Sequence, residues 1–181
     1  MRVPVSRIVL VGLPGAGKTT VGQQLANRLG WRFVDCDRTV ERTVGLDIPA
    51  IFRTRGEAEF RRLERAAVAE AMQSDAVVVA PGGGWAAQDG AYQSLPAGTI
   101  VVWLQVAPAE AVRRLSEDAV ERPLLSHGDM AMRLAELDGE RALAYARADM
   151  VVETDGRTPE AVVEQLAARL VSEFGVDGRA H

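Results

Sequence analysis

The sequence predicts an α/β fold of three layers, a five-stranded parallel sheet covered by helices on both faces. Three observations carry this reading. The apolar run Ile8-Val9-Leu10-Val11 leads through Gly12-Leu13-Pro14-Gly15-Ala16-Gly17 into Lys18-Thr19-Thr20 and a stretch with helical apolar spacing, so a strand feeds a glycine loop and then a helix. Val77-Val78-Val79 is a continuous apolar run of the kind found in central parallel strands, which are buried on both faces. Strand-like and helix-like stretches then alternate to the C-terminus, the pattern of parallel strands joined by right-handed helical crossovers.

Composition narrows the functional classes. With 181 residues, 48% of them hydrophobic, the chain is long enough for one well-buried domain over residues 1–174, followed by a flexible tail at 175–181. A net charge of −4 and a pI near 5.3 leave no electrostatic footprint for nucleic acid or an anionic membrane, so any cluster of arginines is a local site. The single cysteine, Cys36, excludes an internal disulfide framework. Without a signal peptide or an apolar run of about 18 residues, the expectation is a cytoplasmic protein that meets no membrane.

The first glycine loop has the pattern G-x-x-x-x-G-K-[ST], from Gly12 to Thr19. Its glycines turn backbone N–H groups toward phosphate oxygens, and the helix that follows aims its positive N-terminal dipole at them. Gly15, Ala16, Gly17, Lys18, Thr19 and Thr20 are therefore the expected phosphate cradle, with Lys18 reaching the β- and γ-phosphates and the Thr19 hydroxyl available to Mg²⁺. The loop is not a dinucleotide fingerprint, because Thr20 stands where that pattern requires Gly or Ala. Val21, Leu25, Ala26 and Leu29 form the buried stripe of the helix, and Gly30 ends it.

A short second strand, Trp31 to Asp35, delivers Asp35-Cys36-Asp37 to the edge where open α/β sheets bind ligands. One carboxylate is placed to serve a metal and the other a substrate, although an aspartate there can also cap the next helix. Cys36 is read as a small buried residue pointing away from both. A short helix from Asp37 to Val44 stops at Gly45, and Asp47-Ile48-Pro49 opens another with Ile48, Ile51 and Phe52 on its buried face. Gly56 leads into a longer helix carrying Phe60, Leu63, Ala67 and Ala71 at helical spacing. On that helix Arg61 and Glu64 stand three apart, which in isolation describes a surface ion pair.

The third strand, Asp75 to Ala80, ends in Pro81-Gly82-Gly83-Gly84, a run that suits either close approach to a ligand or a tight turn. It carries no terminal acid of the Walker B kind, which leaves Asp35 as the candidate for outer-shell Mg²⁺ binding. Thr99 to Leu104 is a fourth strand, and Pro108 opens a helix through Leu115 with Arg113 and Arg114. The polar, proline-containing stretch 116–128, with Arg122-Pro123-Leu124-Leu125, is a lid candidate. Met130 to Ala146 is helical, with Met132, Leu134, Leu137, Leu143 and Ala144 among its apolar residues, and it carries Arg141 and Tyr145. Met150 to Glu153 is the last strand, and Thr158-Pro159 starts a closing helix that runs to about Phe174. His127 and His181 are read as solvated and uninvolved.

Taken in order, Gly12 to Thr19, Asp35-x-Asp37, Gly56-Glu57-x-x-Phe60-Arg61-x-x-Glu64, Gly82-Gly83-Gly84, Arg122-Pro123-Leu124-Leu125 and Arg141-x-x-x-Tyr145 resemble the shikimate kinase family over about residues 7 to 170. The resemblance implies a nucleoside-monophosphate-kinase-like P-loop fold with strand order 2-3-1-4-5, a substrate region after the second strand and a lid around Arg122. It implies transfer of the γ-phosphoryl group of ATP to the 3-hydroxyl of shikimate, in aromatic amino acid biosynthesis, by a monomer that uses Mg²⁺. In that scheme Arg61 and Arg141 clamp the acceptor carboxylate, Asp37 holds the 3-hydroxyl and accepts its proton, and the backbone of Gly83 and Gly84 closes round the ring. Lys18, Mg²⁺ held by Thr19 and Asp35, and Arg122 from the lid would stabilise the γ-phosphoryl group. Adenine would lie between the Arg113/Arg114 region and the Arg157-Thr158-Pro159 turn.

Two residues depart from the family pattern. The usual Arg-x-Pro-x-Tyr is Arg141-Ala142-Leu143-Ala144-Tyr145 here, and Trp85 follows the glycines where a small residue is expected. Trp85 is either packing or a reshaped acceptor pocket. Alternative readings are therefore a kinase for a gluconate-like or aminoshikimate-like acceptor, which a substrate panel would identify, and a nucleotide-gated binding protein without catalysis. The second predicts ATP binding with no acceptor turnover, and it gives no use to Asp37 and two arginines.

Overall fold

The computed structural model describes residues 3–117 and 129–176. The chain runs β1 (Arg7–Val11), α1 (Lys18–Leu29), β2 (Arg32–Asp35), α2 (Cys36–Val44), α3 (Ile48–Ala71), β3 (Val77–Ala80), β4 (Thr99–Gln105), α4 (Pro108–Ser116), α5 (Met130–Tyr145), β5 (Met150–Glu153) and α6 (Pro159–Phe174). Two short 3₁₀ turns that periodicity does not announce, Trp85–Ala87 and Tyr92–Ser94, lie between β3 and β4. Of the lid stretch expected at 116–128, Ser116 ends α4 and Glu117 caps it, while 118–128, with Arg122 and His127, and His181 in the tail lie outside the described residues.

The five strands form one parallel sheet in the order β2-β3-β1-β4-β5. In β1, Ile8, Val9 and Leu10 are fully buried, as are Val77, Val78 and Val79 in β3. Such strands need helices on both faces, which explains their continuous apolar sequence. Because β1 and β3 pair, with Val9 opposite Val79, the phosphate loop and the triple glycine leave the sheet side by side. The adjoining β2 brings Asp35 level with Ala80. Three chemically loaded segments thus share the carboxyl edge of the sheet, where α/β folds bind their ligands.

Local chemistry sets the helix ends. Asp47, Asp129 and Thr158 accept hydrogen bonds from Ala50, Ala131 and Ala161 N–H and start α3, α5 and α6, two of which carry Pro in the first turn. The two helices expected either side of Gly56 form one element bent there. Gly56 has φ 82° and ψ 168°, so the chain steps out of helical geometry and back in. Helix α5 buries Leu134, Leu137, Arg141 and Tyr145 along one stripe, while Met132 (63%) and Leu143 (85%) face outward, so its apolar content overstates its core face. Among the described helices none is long and apolar enough to cross a membrane.

Candidate active site

A cavity of about 890 Å³ opens at the carboxyl edge of the sheet. One half is walled by the phosphate loop with Arg114, Thr154 and Arg157, and the other by Asp37, Phe52, Phe60, Arg61, the triple glycine and Arg141. The two arginines and the aspartate expected to meet a small anionic alcohol thus converge on the space that also contains the nucleotide loop.

On the nucleotide side, α1 begins after Gly17, which has no side chain to turn back on the first N–H groups. No side chain caps this end, so the positive end of the helix dipole and its backbone donors face the cavity. Gly15, Ala16, Thr19 and Thr20 line the same wall. The Lys18 ammonium donates to the carbonyls of Gly12 (2.8 Å) and Leu13 (3.0 Å), drawn across the loop. The Thr19 hydroxyl donates to Asp35 Oδ2 at 2.8 Å. Asp35 Oδ1 accepts from the Arg38 N–H at 3.2 Å, so this carboxylate both caps α2 and reaches the loop. The cap and the contact with the loop threonine fall to the two oxygens of one residue.

The two arginines expected near adenine both line the cavity but differ in their partners. Arg113 is exposed and engaged by Glu110 and Glu117, whereas Arg114 donates to Glu110, to the Gly15 carbonyl (3.3 Å) and to Thr154 O (2.7 Å) and Oγ1 (3.1 Å). Arg114 therefore ties the phosphate loop to the end of β5. Hydrogen bonds from Arg113 and then Arg114 draw the Glu110 carboxyl down to about 2. Arg157 lines the cavity and donates to Gln165 on α6.

On the acceptor side the Arg61–Glu64 pair is not the surface pair that its spacing suggests. Glu64 is fully buried, and its Oε2 accepts from Arg61 Nη1 at 2.9 Å. The bend at Gly56 and the buried face of Phe60 turn this stretch of α3 inward, so the pair closes beneath the cavity. Arg61 also donates to the exposed Glu57 at 3.2 Å. Burial pulls the Arg61 guanidinium down, but Glu64 and Glu57 together outweigh it and hold it above its ordinary value.

The triple glycine makes a tight turn, with the Trp85 N–H donating to the Gly82 carbonyl at 3.1 Å, and charged side chains pack closely against it. None of the three has a positive φ. A Cβ on Gly82 would fall 2.4 Å from Glu64 Oε1 and 3.2 Å from Asp37 Oδ1. On Gly83 it would lie 3.1 Å from Arg141 Nη1, and on Gly84 2.6 Å from Arg61 Nη2. Each glycine makes room for a different charged group. Arg141, 7% exposed, comes from α5, and one turn later Tyr145 donates its hydroxyl to the Gly83 carbonyl at 2.6 Å. Burial pushes that phenol up to about 12.

Trp85 is 1% exposed and lies in the core rather than on the cavity wall, so it does not reshape the acceptor side. Cys36 is buried as expected. Desolvation, then the neighbouring Asp37, Glu64 and Asp35, push its thiol well above the ordinary range, which leaves it an inert packing group.

A family model described as shikimate kinase matches residues 14–171 of this chain. The chain belongs to the shikimate kinase family. It is 42% identical over 165 residues to a shikimate kinase of Mycobacterium avium (strain 104), covering 91% of this chain and 93% of that one. It is 41% identical over 165 residues to one from Synechococcus sp. (strain CC9605), covering 91% and 82% respectively. Among solved structures, a shikimate kinase from Acinetobacter baumannii in complex with shikimate superposes with a TM-score of 0.88 at 34% identity, covering 93% of this chain and 94% of that one. The protein is an ATP-dependent kinase of a family that uses ATP with a divalent metal.

Several contacts that organise this cavity are not written in the motifs. Gln88 donates to Glu64 Oε2 at 2.6 Å, and Arg114 spans from α4 to the phosphate loop. Tyr92 donates to the Ala144 carbonyl at 2.7 Å and fastens the loop after β3 to α5. Tyr145 stood in a family motif, but only the fold shows what its hydroxyl holds.

Proposed function

We propose that this kinase transfers the γ-phosphoryl group of ATP to the 3-hydroxyl of shikimate, giving shikimate 3-phosphate and ADP. The observation that carries the reading is that Asp37, Arg61 and Arg141 line one cavity together with the phosphate loop. A small hydroxy acid needs a cationic clamp at one end and a carboxylate at the other. Arg61 and Arg141 supply planar forks that match a carboxylate bidentately, which orients a flat acid better than an ammonium does. Gly83 and Gly84 present backbone to the ring.

In the transfer step the acceptor oxygen bonds to the γ-phosphorus as the bond from that phosphorus to the β–γ bridging oxygen breaks. The proton leaves the hydroxyl for the Asp37 carboxylate. Such reactions depend mainly on positioning and on neutralising charge over the transferring group. Lys18 would exchange the Gly12 and Leu13 carbonyls for the β- and γ-phosphates, with the N–H groups from Gly15 to Thr20 around them. Arg122, outside the described residues, is assigned to the γ-phosphoryl group by its motif. Adenine is assigned to the space between the Arg113/Arg114 region and the Arg157-Thr158-Pro159 turn, whose Arg157 and Pro159 line the cavity.

The Thr19 hydroxyl and Asp35 Oδ2 are hard oxygen donors 2.8 Å apart beside the loop, and among the described residues there is no cluster of three metal-ligating side chains. That donor set fits Mg²⁺, which keeps several waters: the Thr19 hydroxyl would hold it, Asp35 would support it from the outer shell, and the nucleotide phosphates would supply further ligands. Bound there, Mg²⁺ would neutralise developing charge on the β- and γ-oxygens.

A monomer is the expected state, checked by light scattering at assay concentration. ADP release coupled to shikimate and Mg²⁺·ATP tests the function; turnover no higher than the ATPase background refutes it. The same assay run with gluconate and an aminoshikimate ranks acceptors by kcat/KM. With Trp85 off the cavity wall, shikimate is expected first.

A further inference from the structure

Glu64 is a fully buried carboxylate that never touches the cavity, yet it holds Arg61, which does. Its Oε2 accepts from Arg61 Nη1 at 2.9 Å and from Gln88 Nε2 at 2.6 Å. Among the described residues its Oε1 has no hydrogen-bond partner and faces Gly82. With Gln88 removed, this carboxylate would keep Arg61 as its one hydrogen-bond donor among these residues, and a buried acid with a single anchor can rotate. Arg61 would then depend on Glu57, an exposed partner one turn away that contributes only a few tenths of a kcal/mol in general.

Gln88 is itself held on both sides. Arg65 donates to Gln88 Oε1 at 2.7 Å. Arginine has only donors and a carboxylate only acceptors, so one orientation of the Gln88 amide satisfies both neighbours. Its backbone closes the 3₁₀ turn that follows the triple glycine, donating to the Trp85 carbonyl at 3.0 Å. Trp85 packs its indole in the core 6.1 Å from the Tyr92 ring, and Tyr92 in turn bonds α5, which carries Arg141. One turn therefore references both arginines to the glycines between them.

We propose that Gln88 is a positioning residue of the acceptor clamp. By fixing the Glu64 carboxylate, with Arg65 holding its amide, it sets the direction of the Arg61 guanidinium and thereby the preference for a carboxylate-bearing acceptor. This rests on the phosphoryl-transfer reading above for its kinetic consequence, but not for its structural one.

The test is Gln88→Leu, which keeps volume and removes both hydrogen bonds. Crystal structures of the unliganded wild type and variant read the direction of Arg61 without any assumption about the reaction. Kinetics with shikimate and ATP read the clamp. The expected result is Arg61 displaced from Glu64, KM for shikimate raised about tenfold, the value of one hydrogen bond to a charged group, and kcat and KM for ATP within about twofold of wild type. An undisplaced Arg61 with unchanged KM for shikimate overturns the proposal, and so does an equal rise in both KM values, which marks a general loss of structure. If wild type does not phosphorylate shikimate, the functional reading fails and the position of Arg61 alone decides. Should Gln88→Leu not fold, Arg65→Met perturbs the same amide from the surface. A rise of about two- to threefold in KM for shikimate supports the relay, and no change overturns it.

Discussion

At the scale of single residues, the acceptor side is a set of charges that only work together. Arg61 and Arg141 are both largely buried, so each bond they make to an anion is worth more than it would be at the surface. Replacing Arg61 with Lys keeps the charge and loses the fork, and it also breaks the bond to Glu64. KM for shikimate is expected to rise about 10- to 100-fold while KM for ATP stays near wild type, measured by steady-state kinetics with each substrate varied. Asp37→Asn removes the proton acceptor and leaves the shape. We expect kcat to fall by about 10²- to 10⁴-fold with nucleotide affinity retained in a binding titration, and a near-normal kcat would take Asp37 out of the proton path.

At the scale of elements, α3 shows how one bend places a clamp. The arm before Gly56 brings Phe52 to the cavity and the arm after it brings Phe60 and Arg61, with the two rings 4.9 Å apart. Gly56 sits at φ 82° with open space around a Cβ, so its requirement is conformational and not steric. Gly56→Ala is expected to cost about 1–3 kcal/mol, seen as a lower denaturant midpoint at unchanged slope. If the variant is as stable as wild type, the bend is not held against the backbone preference of alanine. The paired helices either side of Gly56 were legible from their caps and apolar spacing. Their inward turn was not, because periodicity assigns faces to each helix but says nothing about which neighbour covers them.

Across the whole molecule, the carboxyl edge of the sheet is stitched by hydrogen bonds between distant elements. Tyr145 on α5 holds Gly83 after β3, and Arg114 on α4 holds the loop after β1. The Tyr145 phenol is raised from 10 to about 12 by desolvation, so the folded state favours its protonated form more than the unfolded chain does. That stability is fully present below pH 10 and is lost as pH rises from 10 through about 12, a fall on the order of 2–3 kcal/mol. Tyr145→Phe is expected to lower stability at neutral pH by about 0.5–1.5 kcal/mol and to make the alkaline fall shallower. The remaining slope includes Tyr92, half-buried and likewise raised to about 12. Denaturant titrations at pH 8 and 11 check it, and equal alkaline losses in both proteins would exclude Tyr145 as a source.

The sequence alone determined the strand–loop–helix of the nucleotide side, the caps, the central strands and the identity of the charged residues, because each is written in neighbouring residues or in a short repeat. It also carried the family motifs in order. Only the tertiary structure decided that Arg61 and Glu64 are a buried pair, that Trp85 packs away from the cavity, that each of Gly82, Gly83 and Gly84 accommodates a different charge, and that Gln88 stands behind the clamp. These are contacts between segments tens of residues apart. Their burial depends on how helices settle against the sheet, and a side chain's own position in the chain does not encode which distant group will remove it from water.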